Sequence, residues 1–250
     1  KSTDTAVIVS TGPSLHKQIP LLKEYAPYLT IFSVDASFPI LTKHGIKPDV
    51  VVTLERVEPT ADFFIKTPKA AQKGVVFALT SIVHKATTNA ITQGIKSFSM
   101  RPFGYTRFFD LQDYGYAGIG MSAANMAYEI IAHSQFKRCI FIGQDLAFSK
   151  DGKTHYKDAI FGENETQYKS KKNESEKILI PAYGGNEMVE TTSVWKMFLN
   201  FFEKDIAETP YEMEVINATE GGARIAGTIE QPFGEFLKTL QKTPKKAIKL

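Results

Sequence analysis

The chain has a single cysteine, Cys139, so no disulfide framework can form within it. That cysteine sits inside the apolar run 139–142, where a packed thiol is expected, and a reducing, cytoplasmic compartment fits. No apolar stretch approaches the roughly 20 residues that a membrane span needs, and no basic-then-apolar segment opens the chain. Charge of one sign is also scarce. The formal net charge is +3, and the basic residues are scattered except for Lys169, Lys171 and Lys172 and the tail 242–249. That balance excludes a nucleic-acid face. His16, His44, His84 and His133 show no ligand spacing with carboxylates or with Cys139, which argues against a zinc site; no metal ligand is assigned.

What the chain does contain is enough apolar residue, 43% of 250, for one sizeable core. Short apolar runs at 5–10, 29–34, 49–54, 74–79, 95–100 and 138–142 alternate with helical stretches, the βαβ rhythm of a parallel sheet. A helix is expected over 15–25, bent or delayed by Pro20, and a second from Pro39 to Gly45 as its C-cap. Residues 121–133 read as an amphipathic helix with Ser122 as N-cap. Helical pattern resumes over 190–206, where the stripe from Trp195 to Phe202 reads as core, and over 229–240. Between them, 149–177 is polar and lacks an apolar period, which predicts a mobile flap. The expected organisation is one catalytic α/β domain over 1–241 and a basic tail over 242–250. The chain opens without a methionine and enters a strand almost at once, as a domain excised from a longer polypeptide would.

The chemistry gathers where strands end. After the first strand, Ser10, Thr11, Gly12, Pro13 and Ser14 form a tight turn into a helix, where free N–H groups and the helix dipole suit a phosphate. The spelling is neither GxGxxG nor GxxxxGK[ST]. An ordinary Gly-Pro turn with Ser14 as N-cap explains the same residues. The second strand ends at Asp35 and Ser37, the third at Thr53 and Glu55. Ligands of open parallel sheets bind beyond the carboxyl ends of strands, so these loops should share one rim; taken singly, Asp35 also serves as a cap. The run Gly143-Gln144-Asp145 follows a buried strand, so Asp145 must face that rim or be buried unpaired at high cost. His155, in the polar segment just beyond, is either a general base or an exposed loop histidine. Late in the chain, Glu220-Gly221-Gly222 allows close backbone approach to a ligand or forms a flexible turn.

Together, Gly12-Pro13-Ser14, Asp35-Ala36-Ser37, Gly45-Ile46-Lys47-Pro48-Asp49, Gly143-Gln144-Asp145-Leu146-Ala147, Gly152-Lys153-Thr154-His155 and Asn217-Ala218-Thr219-Glu220-Gly221-Gly222 resemble the motility accessory factor family of flagellin glycosyltransferases. The resemblance spans 5–228 in the family's order. It implies a Rossmann-like, mostly parallel α/β domain with helices on both faces, similar to sialyltransferases, flanked in the full protein by further domains. It further implies inverting transfer of a nonulosonic acid, pseudaminic or legionaminic, from a CMP-activated donor to Ser or Thr hydroxyls of flagellin, as flagellar assembly and motility require. On that reading Gly12, Pro13 and Ser14 cradle the CMP phosphate, and Ser10, Thr11, Asp35, Ser37, Thr53, Glu55, Ser122, Gln144 and Glu220 line the donor pocket. The base is Asp145 or His155, and no cofactor beyond the donor is required. The same superfamily includes archaeal 6-hydroxymethylpterin diphosphokinases, which would need ATP and Mg²⁺ held by Asp145 with Glu55 or Asp35. A catalytically silent nucleotide-binding scaffold is the third reading.

Overall fold

In the computed structural model, which describes residues 3–109, 111–160 and 177–246, the apolar runs of the first half become strands β1 (Thr5–Val9), β2 (Thr30–Val34), β3 (Val50–Thr53), β4 (Val76–Thr80), β5 (Ile95–Ser99) and β6 (Arg138–Ile142). An antiparallel hairpin, β7 (Lys177–Pro181) with β8 (Met188–Thr192), and two short strands, β9 (Glu214–Asn217) and β10 (Ile229–Glu230), follow. The helices are α1 (Ile19–Tyr25), α2 (Phe38–Lys43), α3 (Asp62–Ile65), α4 (Lys85–Ala90), α5 (Ala123–His133), α6 (Ser193–Glu208) and α7 (Phe233–Thr239). Apart from the hairpin, the strands form one parallel sheet of eight in the order β10-β9-β6-β1-β2-β3-β4-β5.

The central strands are apolar throughout because both faces are covered. In β1, Ala6 and Ile8 point to the side of α5 and α6, where Met126, Ile131, Leu199 and Phe202 are buried. Val7 and Val9 point to the other side, against Leu22 of α1, Leu41 of α2 and Phe236 of α7. The far end of the sheet has its own cluster, in which Phe38, Phe64 and Phe77 pack edge to face or tilted at 5.7–6.0 Å between ring centres. Helices on both faces of a mostly parallel sheet is the architecture that the sequence predicts. Cys139 is buried in β6, and burial pushes its thiol far up from its ordinary range.

Several boundaries differ from expectation, each for a local reason. Pro20 falls in the first turn of α1, where proline is tolerated, so the helix starts late, after a one-turn 3₁₀ segment at Pro13–Lys17. The helix expected from 190 begins only at Ser193. Thr192 ends β8 and caps α6 by accepting the Trp195 N–H at 3.2 Å. The helix expected over 229–240 is reduced to α7, because Ile229 and Glu230 pair with β9 and Pro232 follows. Ser122 caps α5 as predicted. The segment leading into it is pinned by the buried Glu129 carboxylate, which accepts the N–H groups of Gly118, Ile119 and Gly120 at 2.7, 3.3 and 2.8 Å. The predicted flap lies largely at 161–176, outside the described residues. Its first part, 149–160, is tied to the sheet rim, where the Tyr156 N–H donates to the Thr11 carbonyl at 2.6 Å. No helix among the described residues is long and apolar enough to cross a membrane.

Candidate functional site

Strand order reverses between β1 and β6: successive strands from β1 run outward to β5, and β6 then returns to the other side of β1. The crevice at such a switch point is where ligands of open α/β sheets bind. Here it brings the turn after β1 against the turn after β6. Their backbones are stitched together by Ser10 N–H to the Ile142 carbonyl at 3.1 Å and Gly12 N–H to the Gly143 carbonyl at 2.7 Å.

Of the free donors expected at 10–14, the N–H groups of Ser10, Gly12 and Ser14 are therefore already engaged. Asp145 accepts the Ser14 N–H at 3.2 Å and the Ser14 hydroxyl at 2.7 Å, so a carboxylate of the protein itself occupies the start of the 3₁₀ turn. Pro13 has no N–H, and the Leu15 N–H returns to the Gly12 carbonyl at 3.1 Å. Position 12 has to be glycine for a steric reason. A Cβ there would lie 1.9 Å from Asp145 Oδ2 and 2.6 Å from the Gly143 carbonyl oxygen. Gly222 closes the opposite side, with φ of 69° and a Cβ position 2.3 Å from the Asp145 carbonyl oxygen.

Burial pushes the Asp145 carboxyl up to about 6, against the pull of the two Ser14 hydrogen bonds and the Lys17 ammonium. Asp35 is likewise pushed up to about 6 by burial, opposed by the Thr53 hydroxyl and assisted by the charge of Glu55. Its oxygens accept Thr53 Oγ1 at 2.6 Å and the Ala36 N–H at 2.7 Å.

Two cavities open on this rim and meet at Asp145 and His155, which line both. The smaller, about 200 Å³, is lined by Ser10, Thr11, Gly12, Asp35, Glu55, Ser122 and Gln144, together with Trp195 and Phe198 of α6. The larger, about 580 Å³, is walled by Pro13, Ser14, Lys17, Tyr156, Lys157 and Glu220. Lys150 and Lys153 also reach it, each beside a carboxylate, Glu187 and Asp151. Lys17 instead donates to the Glu220 carbonyl at 2.6 Å, and Lys157 is in no ion pair with a described residue. The small cavity is thus acidic and aromatic, while the large one mixes Lys17, Lys150, Lys153 and Lys157 with Asp145, Asp151, Glu187 and Glu220.

Ser37 and Thr53, expected on the pocket wall, line neither cavity. Ser37 is fully buried, with its hydroxyl donating to the Val9 carbonyl at 2.7 Å, and Thr53 acts through Asp35. The Glu220 carboxylate is drawn inward to accept the Phe233 N–H of α7 at 3.2 Å and the Gln18 amide at 3.3 Å. Sequence reasoning missed Trp195 and Phe198. Leu199 and Phe202 of the stripe are buried in the core, as expected, and Trp195 and Phe198 pack against it half-buried while also lining the cavity; the cue was their position at the start of the helix, next to the rim.

Residues 1–151, which end just past β6 and Asp145, match the family model described as 6-hydroxymethylpterin diphosphokinase MptE-like. The chain belongs to the MptE-like family. Its fold is that of the MAf glycosyltransferase from Magnetospirillum magneticum AMB-1, with a TM-score of 0.70 over 96% of this chain at 17% identity. An uncharacterized protein of Treponema pallidum (strain Nichols) is 34% identical over 50 residues, 20% of this chain. The MptE-like chain spans 35% of the length of the first and the match covers 24% of the second.

Proposed function

We propose that this MptE-like domain is a glycosyltransferase that moves a nonulosonic acid, pseudaminic or legionaminic, from a CMP-activated donor to Ser or Thr hydroxyls of flagellin. The observation that carries the reading is the meeting, at one buried carboxylate, Asp145, of an acidic and aromatic cavity with a larger one bordered by Lys17 and Lys157. A donor with a neutral nucleoside at one end and a sugar carboxylate at the other fits such a pair, with Lys17 and Lys157 facing the acid. Likeness of fold to a glycosyltransferase supports it.

In the proposed step the acceptor hydroxyl oxygen attacks the anomeric carbon, the bond from that carbon to the phosphate oxygen breaks, and the hydroxyl proton passes to Asp145. The bonding electrons leave with CMP, and His155 donates a hydrogen bond to the departing phosphate. Ser14 keeps Asp145 ionised at neutral pH despite burial, while burial keeps it basic enough to take the proton. Inversion follows from a single displacement.

The diphosphokinase reading rests on the family description. It requires Mg²⁺ on carboxylates, yet Asp35 and Asp145 already bind Thr53, Ala36 and Ser14. Among the described residues no three His, Cys, Asp or Glu are gathered as a metal needs. The test is incubation of the full-length protein and flagellin with CMP-pseudaminic and CMP-legionaminic acid. The added mass on flagellin is expected with one of them. Unmodified flagellin with both, and calorimetric ATP binding that depends on Mg²⁺, would favour the kinase.

A further inference from the structure

The small cavity contains more than the transfer step uses. Helix α6 begins at its edge, and the first turn and a half carries Trp195 and Phe198, one helical step of three apart, on the same face as the core residues Leu199 and Phe202. That face extends past the core and forms a cavity wall. The wall is held at several points. Thr192 caps the helix, Asn125 of α5 donates to the Phe198 carbonyl at 3.2 Å, and the Phe148 and Trp195 rings lie 5.1 Å apart in a tilted pair.

The polar groups that complete the cavity suit a heterocycle more than a sugar chain. Ser10 donates its hydroxyl to Gln144 Oε1 at 2.5 Å, which fixes the amide with Nε2 as a donor that has no described partner. Glu55 supplies an exposed acceptor and Ser122 a hydroxyl. At about 200 Å³ the cavity is below the roughly 300–1,000 Å³ of sites that enclose a whole drug-sized ligand, whereas the adjoining 580 Å³ lies within that range.

We propose that Trp195 and Phe198 are the base platform of the donor site: the cytosine of CMP stacks on Trp195, its exocyclic carbonyl oxygen accepts from Gln144 Nε2, and the ribose hydroxyls donate to Glu55. This rests on the CMP-donor reading and adds to it which cavity takes which end of the donor. Base stacking on one aromatic side chain is worth enough to set affinity, about tenfold or more on truncation.

Trp195 is the one tryptophan of the chain, so its emission reports the site directly. The full chain is titrated with CMP, cytidine, 6-hydroxymethylpterin and N-acetylneuraminic acid, following tryptophan fluorescence and, for CMP, calorimetry in parallel. CMP and cytidine are expected to change the emission and free N-acetylneuraminic acid to leave it unchanged. Trp195→Ala should weaken CMP binding about tenfold, Trp195→Phe less than threefold, and Gln144→Leu about fivefold with the emission of the folded protein intact. Calorimetric CMP binding that leaves the emission of Trp195 unchanged and is insensitive to Gln144→Leu would overturn the platform and leave the donor reading standing. Absence of CMP binding by both methods would overturn the donor reading and the platform with it, and a pterin preferred over cytidine would assign the platform to the other substrate and refute the proposal.

Discussion

Replacing Gly12 by alanine tests the central claim about the site, because the backbone there is ordinary. With φ of −61° and ψ of 159°, position 12 accepts any L residue, so every consequence of the new methyl is steric. The methyl would sit 1.9 Å from Asp145 Oδ2, 2.6 Å from its Cγ and 2.6 Å from the Gly143 carbonyl oxygen. Swinging the Asp145 side chain about Cα–Cβ relieves the first two contacts but forfeits its hydrogen bonds from Ser14, which as bonds to a charged group are worth about 1.5–3 kcal/mol each. The third contact is with backbone and no rotamer relieves it. A loss of about 3 kcal/mol is expected, at the upper end of overpacking costs. For a chain of this size it corresponds to a melting temperature lower by about 6–12 °C. Urea denaturation measures the loss directly as a midpoint shift at constant slope. Gly104→Ala, whose Cβ meets nothing within 4 Å, should stay within about 0.5 kcal/mol. Adding Asp145→Ala to Gly12→Ala removes the clash with the carboxylate and leaves the one with Gly143, so the double variant should be at least about 1 kcal/mol more stable than the sum of the singles predicts. Additive losses, or a neutral Gly12→Ala, would refute the packing of Asp145 against this turn.

Three other outcomes follow from particular residues. Ser14→Ala removes the hydroxyl that lowers the Asp145 pKa, so the acid limb of a pH–rate profile for transfer should move up by about one to two units, while Ser14→Thr should restore it. Asp35 holds its proton more tightly folded, at about 6, than unfolded, at 3.8, so its contribution to stability is present in acid and is lost as pH rises through that interval. Urea midpoints from pH 4 to 7 should show that loss, on the order of 3 kcal/mol for a two-unit shift, and Asp35→Asn should remove that share of the slope while the parallel contribution of Asp145 remains. Glu129→Ala strands three N–H groups at 118–120 and should cost about 3 kcal/mol, read as a thermal shift, with Glu129→Gln roughly half as harmful.

The sheet was legible because its central strands are buried on both faces and so read as unbroken apolar runs between turn signals. Strands β9 and β10 were not: Glu214–Asn217 and Ile229–Glu230 are too short to show a period, and their pairing is decided by β6, far away in sequence. The hairpin of β7 and β8 was hidden in the same way, since it alternates weakly and faces water along much of its length. For the site, the rule that strand ends share a rim correctly gathered Ser10, Asp35, Glu55, Gln144 and Asp145 on one cavity. It could not foresee which polar groups would satisfy one another. Ser14 and Asp145 look like two independent ligand contacts in one dimension and form a hydrogen-bonded pair in three. Trp195 escaped for the opposite reason, because a helical stripe gives the face of each residue and not the depth at which the core stops.

The seam between β1 and β6 has a consequence for assembly. Strands β1 to β5 are joined to their neighbours by local crossovers, whereas the bond from Ser14 to Asp145 closes a loop of 131 positions. Long closures carry the larger entropy cost and are deferred until nearer contacts have formed. The pocket at this seam should therefore be the last part of the sheet to mature: a nascent chain can complete half of its strands while Asp145 is still in water, as an ordinary aspartate.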